Sequence, residues 1–111
     1  MKNTNIKKKV VELMGYKLIM ISEYDEEKDY VYVVLNIDNH EAAQENEYAP
    51  SMMVNRTGGI FNELEEGYEV KIQTAGHGSQ TLEDYPKFLE ANQQAFFVAQ
   101  ELQKEIDKFT K

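Results

Sequence analysis

The chain has 111 residues, 41% of them apolar and 29% charged, a formal net charge of −8 and no cysteine. This is the length and composition of one globular domain, residues 1–111, with a single core, and it excludes disulfides and thiolate chemistry. No run approaches the ~20 apolar residues of a membrane span, and no apolar stretch of signal-peptide length follows the basic start at Lys2 and Lys7-Lys8-Lys9.

Residues 5–14 read as a short helix, with Ile6, Val10, Leu13 and Met14 at i, i+4, i+7 and i+8. Thr4 or Asn5 offers a cap and Gly15 a left-handed stop. Residues 16–24 and 30–38 read as a β-hairpin. In its second half Val31, Val33, Leu35 and Ile37 alternate with Tyr30, Tyr32, Val34 and Asn36. The first half is apolar on both faces around Leu18-Ile19-Met20-Ile21, as expected of a central strand or one covered on both sides. Asp25 to Asp29 make an almost wholly charged turn.

Residues 39–50 form a polar connection, helix or loop, ending at Pro50. Residues 52–56 read as a third strand, broken at Gly58-Gly59 and resumed at Ile60-Phe61. After a turn at Glu65-Glu66-Gly67, residues 68–74 alternate as a strand: Tyr68, Val70, Ile72 and Thr74 against Glu69, Lys71 and Gln73. A long helix follows from about Asp84 to Phe109. Pro86 suits its first turn, and Thr81 is a competing start. The expected fold class is α+β: an antiparallel four-stranded sheet, a short N-terminal helix, and a long C-terminal helix packed on the sheet.

The long helix carries an inward stripe of Phe88, Asn92, Ala95, Ala99, Leu102, Ile106 and Phe109, widened by Tyr85, Leu89 and Phe96. At 100° per residue Phe97 points about 160° away from Ala99, toward solvent. A phenylalanine in that position is a candidate contact for a partner or a second copy.

Charge is the strongest functional signal. Residues 23–69 hold thirteen acidic side chains against Lys28 and Arg56, a net −11, while residues 1–22 carry +4 and residues 70–111 carry −1. A field so concentrated repels nucleic acid and steers toward basic protein surfaces. Tyr24 and Tyr30 flank the acidic turn, and Tyr16 and Tyr32 lie on the same two strands. Tyrosine buries area while keeping its hydroxyl satisfied, which suits an interface. Whether the four tyrosines share a face depends on the hairpin register.

Chemistry is hard to place. His40 and His77 are the two histidines. His40, near Glu41 and Glu45, has no recognised metal-ligand spacing. Gly76-His77-Gly78-Ser79 lies between a strand and a helix but lacks the Lys-Ser/Thr ending of a phosphate loop. The paired acids Glu26-Glu27 and Glu65-Glu66 are solvated turn residues, without the burial that shifts a carboxyl into catalytic range. No catalytic, cofactor-binding or metal set is read, and the chain is expected to be non-enzymatic.

Size, acidity, absence of cysteine and the element order resemble those of small phage and mobile-element proteins, the anti-CRISPR inhibitors of Cas9. The resemblance implies a cytoplasmic inhibitor, acting in a bacterial host, of a basic nucleic-acid-binding protein, with no cofactor and no direct contact to nucleic acid or membrane. No motif carries a binding residue over. The contact surface is instead read from the chain itself: Glu23, Tyr24, Asp25, Glu26, Glu27, Asp29 and Tyr30, with Glu63, Glu65, Glu66 and Phe97. The alternative reading is a homo-oligomeric accessory module, in its simplest form a homodimer, whose apolar sheet face and Phe97 meet a second copy.

Overall fold

The structure, a computed structural model, describes residues 5–25, 30–57, 67–74 and 79–110, with the backbone alone at 5, 24, 25, 30–32 and 57. Strands β1 (Asn5–Leu13), β2 (Tyr16–Asp25) and β3 (Tyr30–Asp38) precede a short helix α1 (His40–Glu45). Strands β4 (Ser51–Thr57) and β5 (Gly67–Gln73) then lead to the long helix α2 (Tyr85–Thr110).

The α+β class holds, but the single four-stranded sheet does not. The strands form two antiparallel sheets, β1-β2-β3 and β4-β5. The N-terminal helix is also corrected: residues 5–13 are a strand, paired along their whole length with β2 from Asn5↔Tyr24 to Leu13↔Tyr16. The helical spacing of Ile6, Val10, Leu13 and Met14 loses to pairing. Val11 and Leu13 pack against the core from one face of β1, and Ile6 and Val10 lie exposed on the other.

Gly15 does adopt a left-handed backbone, but it turns a hairpin and does not end a helix. Met14 at φ 51° and Gly15 at φ 85° are the two loop residues between β1 and β2. Two successive positive φ values are the signature of a type I′ turn, whose twist matches that of its strands. A Cβ on Gly15 would lie 2.9 Å from the Ala42 backbone nitrogen, so α1 is seated directly on this turn.

One core joins both sheets to α2. Leu18 and Met20 of β2, Met52 of β4, and Ala95, Val98, Ala99, Leu102, Ile106 and Phe109 of α2 are buried together. Burying each large side chain contributes about 1.5–3 kcal/mol relative to exposure. Alanines at 91, 95 and 99 let the helix backbone approach closely. The buried stripe is rotated from the expected one: Ala91 and Val98 are buried, Phe88 and Asn92 sit at its margin, and Tyr85, Leu89 and Phe96 are exposed. The helix start follows a turn in which Thr81 accepts from the Asp84 amide through its side chain and from the Tyr85 amide through its carbonyl. The molecule measures 61 × 29 × 20 Å, so the ~39 Å helix does not span it, as it would a compact sphere.

Candidate protein-binding surfaces

Contacts between elements locate the strand ends from which the acid-rich segments leave. The Tyr16 hydroxyl, at the start of β2, donates to the Pro50 carbonyl, just before β4. From this junction β2 runs about 30 Å to Asp25 and β4 about 20 Å to Thr57. Both far ends meet the C-terminal part of α2. Lys7, the register partner of Ser22, lies over the Phe109 ring at 4.8 Å from its centroid. Gln103 bonds the backbone of Tyr68 and Val70 at the start of β5. The chain therefore enters the segment with Glu26, Glu27 and Asp29, and the segment with Glu63, Glu65 and Glu66, at one end of the molecule.

Those six residues lie outside the described residues, as do His77, Gly58-Gly59, Ile60-Phe61 and the side chains of Tyr24, Asp25 and Tyr30. Among the expected contact residues, Glu23 and Phe97 have described side chains. Glu23 is part-exposed on the face of the three-stranded sheet that points away from α2. Phe97 is 52% exposed on the outer side of α2, beside Phe96 at 58%.

Register resolves the tyrosines. Tyr24 pairs with Val31, whereas Tyr30 pairs with Asp25 and Tyr32 with Glu23. The four tyrosines thus divide two and two. The positions of Tyr16 and Tyr24 belong to the core side of the sheet, and those of Tyr30 and Tyr32 to its open side, beside the two acids. Tyr16 itself is core, not interface: it is buried, and burial pushes its phenol pKa up.

Two of the amino-terminal lysines are engaged by the helix. Lys9 pairs with Glu105 and holds that carboxyl below its ordinary range, while Lys7 sits on Phe109. Cations near a helix C-terminus also meet its partial negative charge. Lys8 points to the open face of the sheet.

A second acidic group lies at the opposite end. Glu12, Asp38 and Glu41 border an open cavity of about 310 Å³ beside the β1–β2 turn, with Lys17 ion-paired to Glu12 at 3.6 Å. His40 is exposed there, its ring nitrogen 2.9 Å from the Gln44 amide. Among the described residues no three His, Asp or Glu side chains converge as a metal site. No described helix is long and apolar enough to cross a membrane.

The face of the three-stranded sheet away from α2 is open. Ile19 and Ile21 are not part of the core cluster, and they are flanked by Val10 at 47% and Val34 at 48% exposure. The apolar run on both faces of β2 signalled a central strand correctly, but nothing in that run separates an open face from a covered one.

Comparison of the chain with protein-family models, with curated proteins and with solved structures finds no match.

Proposed function

We propose that the chain is a non-enzymatic protein-binding inhibitor that offers its acid-rich end to a basic nucleic-acid-binding protein. The observation that supports this most is the common direction of β2 and β4, which carries both acidic segments from strand ends at the C-terminal end of α2. Two of the nearby lysines are drawn into contacts with Glu105 and Phe109, which leaves the acidic segments less neutralised. Carboxylates supply steering and register to such a complex, and aromatic residues supply buried area. A Cas9-type effector, with a positively charged channel for its heteroduplex, is the partner class this reading puts first.

The test uses immobilised chain and a variant carrying Glu26→Gln, Glu27→Gln, Glu65→Gln and Glu66→Gln. Guide-loaded Cas9 and a bacterial lysate are passed over each at low and at raised salt. The reading expects retention of a basic nucleic-acid-binding protein by the unmodified chain, release by salt and loss of retention in the variant. Equal retention by both chains, or by neither, removes it. The second reading, a homo-oligomeric module, draws on the open apolar face of β1-β2-β3; it expects association of copies with no basic protein retained, so the retention assay separates the two.

A further inference from the structure

The central strand of the three-stranded sheet has an internal symmetry of charge on the open face, where Lys17 is also flanked by Glu12, its ion-pair partner at 3.6 Å, and by Asp38. Along β2 this face presents Lys17, Ile19, Ile21 and Glu23 in that order. Lys17 and Glu23 are equally distant from Met20 in the chain, and so are Ile19 and Ile21. Turned end for end, the row has a cation where it had an anion, and its apolar centre is unchanged. We infer that this face binds a second copy of the chain, the two β2 strands antiparallel about a two-fold axis at the level of Met20.

In that arrangement Ile19 of each copy lies over Ile21 of the other. Lys17 meets Glu23 at both ends of the contact. This is the isologous geometry of a two-fold interface, in which one patch serves both sides. On the flanking strand, Val10 of one copy meets Lys8 of the other, whose methylene stem covers apolar area while the ammonium reaches solvent. A parallel stacking is disfavoured, because it sets Glu12 against Asp38 in the row of Lys17.

The face covers three strands and four side-chain rows, roughly 14 Å by 27 Å. That is roughly 380 Å² per copy, below the size of a standard specific interface and suited to a weak, transient contact. The dimer is therefore weak and forms at high protein concentration. Ile19 and Ile21 supply the area, and the ion pairs fix the direction. The inference concerns how copies meet and does not depend on the function of the acidic end.

Sedimentation equilibrium of the full chain, from about 10 to 500 μM, reads the association directly, with no partner present. Lys17→Glu sets acid against acid at both ends, and Glu23→Lys sets base against base. Each is expected to weaken association about tenfold, and the combined swap, K17E with E23K, to recover most of the loss. Lys17→Glu also adds a carboxylate next to Glu12 and Asp38, so melting curves accompany every variant. Glu23→Lys carries the comparison if the first variant folds poorly. A chain that stays monomeric throughout overturns the inference. So does a dimer indifferent to both reversals, a swap that fails to recover, or a dimer abolished by Phe97→Ser on α2 instead.

Discussion

The Tyr16 hydroxyl donates to the Pro50 carbonyl at 2.9 Å, and this bond ties the start of β2 to the residue that precedes β4. The same oxygen accepts from the Asn39 side chain at 3.1 Å. Tyr16→Phe should therefore cost only about 1 kcal/mol, because Pro50 keeps a donor. Burial raises the Tyr16 pKa, so the fold favours the neutral phenol. Its contribution is complete below the ordinary value of 10.0 and is lost as pH rises through the folded value. Thermal melts from neutral to alkaline pH should show the native chain losing stability more steeply than the phenylalanine variant.

Gly15→Ala should be among the most damaging single changes. The new Cβ meets backbone, not a movable side-chain tip, at 2.9 Å from Ala42, and the φ of +85° is strained for any L side chain. A loss of about 2 kcal/mol or more is expected in chemical denaturation. Ala42→Gly should not rescue it, since the closest atom is the Ala42 nitrogen.

The pairing of Lys9 with Glu105 gives an acid-side prediction. The hydrogen bond from Lys9 is the main cause that lowers the Glu105 pKa. A depressed carboxyl stabilises the fold above its unfolded pKa, and that contribution disappears as pH falls through the folded value. Glu105→Gln should cost about 0.5 kcal/mol at neutral pH, as expected of a largely solvated pair. The gap from the native chain should close on acidification below the ordinary carboxylate range, and raised salt should narrow it at neutral pH.

Gln103 imitates a strand with its side chain. Its carbonyl accepts from the Val70 amide at 2.9 Å, and its amino group donates to the Tyr68 carbonyl at 2.8 Å. Gln103→Ala should destabilise by about 1–2 kcal/mol and speed hydrogen exchange at the Val70 amide. Gln103→Glu keeps an acceptor for Val70 but loses the donor for Tyr68, so it should protect Val70 partly.

The elements with clean periodicity were legible in the chain. Val33, Leu35 and Ile37 alternate as a half-buried strand must, and Leu102, Ile106 and Phe109 recur as a packed helix requires. β1 was not legible, because Lys7 and Lys9 occupy its inward positions. There they meet Phe109 and Glu105 while staying exposed, and no local pattern encodes a partner about a hundred residues away. The break between β3 and β4 was hidden for a similar reason: both are good strands, and whether two strands share hydrogen bonds is decided by tertiary geometry. Composition revealed the acid-rich segments, while strand register and direction reveal that they leave from one end. The separation of Tyr16 from Tyr30 rests on register alone, since a shift by one residue exchanges the faces.

Gln103 has a consequence for the fate of the chain at high concentration. A sheet margin with unanswered amides is where ribbons and fibres begin to grow. Here one carboxamide occupies that margin on β5, and the run Lys7-Lys8-Lys9 makes the β1 margin repel its own kind. Additions along these two edges are discouraged, so copies that crowd together do not lengthen either sheet from them.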